Sequence, residues 1–209
     1  MKRWLGLCFL VGLFASGTAV AVAAPESSAQ VLVETTSNAV LNELRAESDA
    51  ISRDPALLDT IAQKAVLPHF DFERMSQRVL GQHWRTATPE QRSRFMAEFT
   101  RLLVRTYATA VFEYRDSEVK FMPARELGEK TQRIRSLVDR RDGRPPLQVD
   151  YDVFQRDDGW KVMDVAINGI SLVVSYRSGF NTDAAKLGMD GLIAQIAEHN
   201  ASRSAGRER

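Results

Sequence analysis

The chain has 209 residues, with 28 Lys and Arg against 27 Asp and Glu. That near-neutral balance lacks the basic footprint that nucleic-acid binding requires, and it gives no strong charge attraction to anionic membranes. The single cysteine, Cys8, falls in an apolar leader, so the rest of the chain carries no disulfide and depends on its core.

Lys2 and Arg3, an apolar stretch from Leu5 to about Phe14, and the small residues Ala19 to Ala24 form the three parts of a cleavable secretory signal. The apolar run is too short for a spanning helix, so we read a leader rather than a membrane anchor. Cys8 sits too early in that run to mark a lipoprotein. Ala21-Val22-Ala23 is the best cleavage site, because a cut one residue later leaves Pro25 directly after it. Residues 1–23 are then the signal peptide. Residues 24–209 are a single domain of 186 residues, with 26 basic and 27 acidic side chains. That length suffices for one sizeable core.

The mature chain divides into helix, strand and helix. From about Ser28 to Ile51, Val31, Leu32, Thr35, Ala39, Leu41 and Leu44 recur at helical spacing. Asp54-Pro55 reads as a cap and first turn before Leu57, Leu58, Ile61 and Val66, and Pro68 ends that helix. Asp71 opens another through Met75 and Val79, with Gly81 as its stop. Thr88-Pro89-Glu90-Gln91 is a capping box with proline in the first turn, and it predicts a long helix to about Tyr114. Phe95, Phe99, Leu102, Leu103, Thr106, Ala110 and Val111 form one broad face of that helix, and most of its arginines fall outside.

From Ser117 the period becomes two. Val119 and Phe121, then Ile134, Ser136 and Val138, then Leu147, Val149, Tyr151 and Val153 each alternate with polar residues. Asp142-Gly143 and Asp158-Gly159 mark the turns, and Trp160 to Ile167 supplies a fourth strand ending at Asn168-Gly169. Across residues 170–180 two readings fit. Ile170, Leu172 and Val174 suit a strand; Ser171 as a cap, with Leu172, Val173, Tyr176 and Phe180 on one side, suits a helix, which we favour. Asp190 opens a last helix, and the tail 202–209 is polar and frayed. The fold class is α+β: a four-stranded antiparallel meander with helices packed on one face, enclosing an apolar cavity.

Catalytic patterns are missing: there is no thiol after residue 23, no GxSxG, no phosphate-binding glycine loop and no HExxH. His69, His83 and His199 lack metal-ligand spacing, so no metal site is read. Asp150 and Asp152 share a strand face, as a paired acid and base would. Arg133 and Arg135 occupy the same face of the neighbouring strand, however, and cross-strand ion pairing explains the set more simply. Arg140-Arg141-Asp142-Gly143-Arg144 reads as a solvated basic turn in preference to a phosphate or partner contact. What is left over is large apolar side chains on the long helix and the sheet, either core or pocket: Phe95, Phe99, Tyr107, Phe112, Tyr151, Phe154 and Trp160.

Three blocks resemble a known family. The first is Pro68-His69-Phe70-Asp71-Phe72, Met75-Ser76, Val79-Leu80-Gly81 and Trp84-Arg85; the second is Pro89-Glu90-Gln91-Arg92, Phe95, Phe99, Leu102-Leu103 and Thr106-Tyr107-Ala108. The third runs from Val149-x-Tyr151 through Gly159-Trp160-Lys161-Val162-x-Asp164-Val165 and Gly169-Ile170-Ser171-Leu172-Val173 to Tyr176-Arg177-Ser178-Gly179-Phe180. In this order they resemble the MlaC, or toluene-tolerance auxiliary, family of periplasmic phospholipid-binding proteins, over about Gln30 to Ala197. The family's Arg-x-Gln-Phe element stands here as Arg177-Ser178-Gly179-Phe180.

The resemblance implies a monomeric periplasmic carrier, not an enzyme, with phospholipid as cargo and no cofactor. It would pass lipid between an outer-membrane lipoprotein–porin complex and an inner-membrane Mla transporter complex. A pocket on the order of 1,000 Å3, at the top of the usual range, is then expected for the acyl chains. Its expected lining is Phe99, Leu103, Tyr107 and Val111 from the long helix, Val149, Tyr151, Val165 and Ile167 from the sheet, and Leu172 and Tyr176 beyond it, with Trp84 at the mouth. Two other readings compete. A small enzyme on a cystatin-like cone would use His83 or Asp164 as base; a structural adaptor would have no cavity.

Overall fold

The computed structural model describes residues 27–207, with the backbone alone for residues 203–207. The expected leader, residues 1–23, lies outside the described residues. The chain opens with α1 (Ser28–Ala46), which Ser27 caps by accepting the Gln30 N–H. A break at Glu47 separates it from α2 (Ser48–Arg53). α3 (Leu57–Ile61) follows, and Asp54 prepares it by accepting the Ala56 N–H at 3.0 Å. The backbone then loosens through a π turn at Ala62–Val66 into a 3-10 turn at Leu67–His69, where Pro68 has no N–H to continue an α-helix.

Asp71 caps α4 (Phe72–Leu80) by accepting the Arg74 N–H at 2.9 Å. Gly81, at φ 55°, ends α4 in a backbone conformation that favours glycine. The short α5 (Gln82–Thr86) leads to α6 (Pro89–Glu113). There the capping box is complete: Thr88 Oγ1 accepts the Gln91 N–H, and Gln91 Oε1 accepts the Thr88 N–H, each at 3.1 Å.

The sheet has six strands, not the four expected: β1 (Glu118–Phe121), β2 (Arg125–Gly128), β3 (Thr131–Asp139), β4 (Leu147–Arg156), β5 (Gly159–Ile167) and β6 (Ile170–Ser171). The additions have local causes. β1 pairs with one half of β3 and β2 with the other, both antiparallel, so they lie end to end as one interrupted strand. Pro123 interrupts it, since it cannot donate to the ladder. The neighbouring Ala124 N–H donates instead to Gln30 Oε1 on α1. At the far edge, Asn168 and Gly169, at φ 48° and 82°, turn the chain back for the two-residue β6. Strands β1, β3, β4 and β5 are the four expected and lie side by side in that order, with β6 added beyond β5.

α7 (Leu172–Arg207) begins directly after β6, settling residues 170–180 as a two-residue strand followed by helix. Ser171 Oγ accepts the Val174 N–H, while Asp164 accepts the Ser171 hydroxyl and the Val173 N–H. Gly188, at φ 69° and ψ 175°, breaks α7, and the helix expected to start at Asp190 is its continuation. It runs through Ser202, where the tail was expected to fray, to Arg207.

The two sheet faces differ as the alternation predicts. On one, Arg133 pairs bidentately with Asp152 at 2.6 and 2.9 Å, and Arg135 with Asp150 at 2.7 and 3.0 Å, directly across β3 and β4. The acid-base pair considered from sequence is a pair of cross-strand ion pairs. The other face carries Ile134, Val153 and Val162 against Ala29 and Val33 of α1. The basic turn closes on itself and its neighbour: Arg140 and Arg144 lie beside Asp142, and Arg141 beside Glu118.

Candidate functional site

The core is divided. One buried cluster joins α4, α6 and α7 around Phe95 and Phe99; a second joins α1 to the sheet; a third joins α1, α2 and α3 around Leu44, Ile51 and Leu58. Between them lies an apolar pocket of about 350 Å3.

α6 creates the gap. Its first half packs Phe95, Phe99, Leu102 and Leu103 out of solvent, and the helix rests chiefly on α7, α4 and α3 rather than on strands. Its second half continues the apolar stripe through Val104, Tyr107, Ala108 and Val111, none of them fully buried, because that stretch faces the pocket. Opposite stand Val149 and Tyr151 of β4 and Val162, Val165 and Ile167 of β5. A register shift between Asp152 and Val153 lets both Val162 and Val165 reach the same face. α1 and the α3 turn close the side with residues including Val40, Leu44, Leu58 and Ile61.

No Asp, Glu, Lys or Arg is among the described residues lining the pocket. Its polar groups are few and mostly spoken for. Tyr151 is hydrogen-bonded to Ser37 and Ser136, and burial pushes its phenol up. Burial, then the neighbouring Tyr176, pushes the Tyr107 phenol up to about 12. His69 is held below its usual value, first by burial and then by the Lys161 ammonium. Such a lining holds an apolar ligand by contact and stabilises no charge.

Of the residues expected at the site, Leu103, Tyr107, Val111, Val149, Tyr151, Val165, Ile167 and Leu172 line this pocket together. Three stand elsewhere. Phe99 is wholly buried in the helical cluster, stacked on Phe95 at 5.6 Å and edge-on to Phe180 and Tyr176. Trp84 is buried in the same cluster, under the Arg92 guanidinium at 5.2 Å, rather than at a mouth. Tyr176 lines a smaller pocket beside α6 and α7. The long-helix stripe is shared by two neighbours, and periodicity does not reveal where one takes over from the other.

The contribution of α1 and α3 is absent from the expected lining. Their apolar spacing is visible in sequence, but nothing there distinguishes a face on side chains from a face on a pocket. The volume is also below the 1,000 Å3 expected. His83 and Asp164, the alternative bases, do not line it, and Asp164 is engaged at the start of α7.

Helices lie over one face of an antiparallel sheet, and an apolar pocket without a charged lining parts the buried clusters where a continuous core would otherwise run. Residues 34–198 match the family model described as MlaC protein, and the chain belongs to that family. It is 26% identical over 203 residues to the intermembrane phospholipid transport system binding protein MlaC of Haemophilus influenzae, covering 95% of this chain and 93% of that one. It is 27% identical over 150 residues to toluene tolerance protein ttg2D of Pseudomonas putida, covering 71% and 69%. The phospholipid-binding protein of Ralstonia solanacearum, solved in complex with a phospholipid, superposes with a TM-score of 0.78 at 30% identity, over 85% of this chain and 99% of that one.

Proposed function

We propose that this protein is a periplasmic phospholipid carrier, holding acyl chains in the pocket between α6 and the sheet and leaving the headgroup outside. It receives and delivers lipid at an inner-membrane Mla transporter complex and an outer-membrane lipoprotein–porin complex. The observation that carries this reading is the uncharged, apolar lining of the pocket; relatives named for phospholipid transport and phospholipid binding support it. The leader read at residues 1–23 supplies export.

The energetics suit a carrier without catalytic groups. Two acyl chains of about 30 methylenes, at ~0.8 kcal/mol each, cost roughly 24 kcal/mol to expose to water. Apolar walls must replace nearly all of that. Loading and unloading are exchanges between apolar environments, so direction comes from the partners.

The test is organic extraction of freshly purified protein followed by mass spectrometry. Stoichiometric phospholipid is expected, and its absence counts against the carrier. Leu103→Asp and Tyr107→Asp each place a charge in the lining and should abolish co-purifying lipid in a protein whose circular dichroism is unchanged. Undiminished lipid in either folded variant removes that residue from the site.

A further inference from the structure

The smaller pocket, about 340 Å3, has no part in that reading. Leu102, Phe180 and Ile196 give it a buried apolar floor, and Gln195 and His199 an exposed rim. It lies close to the main pocket along α6. Leu102 and Thr106 line the smaller one, and their chain neighbours Leu103 and Tyr107 line the larger. Between α6 and α7 the boundary is a pair of phenols. Tyr107 lines the larger pocket, Tyr176 the smaller, and the two phenols are neighbours. Both are only partly buried and pack against the helical cluster. A tyrosine swings about two side-chain torsions, so this boundary yields far more easily than a helix.

We propose that the smaller pocket is an extension of the larger one for the end of an apolar chain, closed by the Tyr107–Tyr176 pair, and that this pair therefore limits acyl-chain length. The inference rests on the carrier reading and adds to it a ruler for the cargo. Each methylene that finds apolar cover favours binding about fourfold, the equivalent of ~0.8 kcal/mol. A chain end stopped at Tyr107 forgoes that factor for every carbon turned back toward water. One that passes Tyr107 lies over Leu102, Phe180 and Ile196.

Competition between two phospholipids tests the inference. Delipidated protein is offered an equimolar mixture of dipalmitoyl and diarachidoyl phosphatidylethanolamine, and the bound fraction is extracted and weighed by mass spectrometry. Wild type should favour the shorter lipid. Tyr107→Ala and Tyr176→Ala, which open the boundary from either side, should move the bound ratio toward the longer lipid by about tenfold or more. Tyr107→Leu, smaller than tyrosine yet apolar, keeps the question open to measurement if the alanine variants fold poorly, and should move the ratio the same way. A wild-type ratio in folded Tyr107→Leu overturns the inference while leaving the carrier reading intact. A wild-type protein that takes up neither lipid overturns the carrier reading itself.

Discussion

Asp71 joins the helical layer to the sheet. Its carboxylate caps α4, lies 3.0 Å from Arg156 at the end of β4 and 3.6 Å from Arg74, and is almost wholly buried. Its backbone N–H donates to Val162 O at 2.8 Å, beside the single bridge between Phe70 and Val162. Both arginines are partly solvated, so the ion pairs are screened and the cap and buried acceptor carry most of the effect. Asp71→Ala should cost about 2 kcal/mol in urea denaturation, and Asp71→Asn, which retains the capping oxygen, clearly less. The cap is legible in sequence, from aspartate before a helical period. The partner is not, because Arg156 is 85 residues away and only the register of β4 brings it back.

His69 carries the pH response of the same segment. Burial and Lys161 hold its folded value below the ordinary 6.5. At pH above 6.5 both folded and unfolded forms are neutral, and nothing is gained or lost. As pH falls through 6.5 the unfolded chain takes up a proton that the folded one resists, so stability drops. His69→Asn should flatten the decline in thermal midpoint from neutral to mildly acidic pH, measured by calorimetry. An unchanged slope would assign that decline to other groups.

At the scale of the element, α6 was the most legible part of the chain, because its start is chemically specified. Thr88, Pro89 and Gln91 fix it, and Gln91 and Arg94 also reach Asp190 beyond the break in α7, at 2.9 and 2.8 Å. Thr88→Ala should therefore cost about 1 kcal/mol by denaturant titration. Lipid content should be unaltered, since Thr88 lies at the opposite end of α6 from the pocket-facing stretch. Loss of lipid in that variant would mean that the register of the whole helix depends on its cap. Less legible was the division of labour along one stripe. Phe99 and Leu103 are a helical turn apart and chemically alike, yet one is enclosed by aromatic rings and the other lines a pocket. Hydrophobic periodicity reports that a face leaves water; it does not report what the face meets. The strands show a similar limit. Alternation located β1, β3, β4 and β5, while β2, exposed throughout, and the two-residue β6 have no alternating burial to find.

At the scale of the molecule, three buried clusters meet around the pocket instead of merging. The residues that would make one continuous core are present in number, but α6 stands away from the sheet, and in the proposed carrier an apolar ligand would complete the contacts that side chains leave unmade. On the carrier proposal stability and cargo are linked, because a ligand that binds only the folded state raises its stability by mass action. At free lipid a hundredfold above its dissociation constant the gain is about 2.7 kcal/mol, which for a domain of this size raises the melting temperature by about 5–10 °C. Stripping lipid from the purified protein by reversed-phase or detergent exchange, followed by scanning calorimetry, should lower the melting temperature by that amount. Adding back phosphatidylethanolamine should restore it. The charged variants Leu103→Asp and Tyr107→Asp should melt at the same temperature with and without added lipid, because they no longer take it up. Equal melting temperatures for stripped and loaded wild type would mean that the three clusters are self-sufficient and the pocket contributes nothing to the fold, leaving a rigid container rather than a core that the cargo completes.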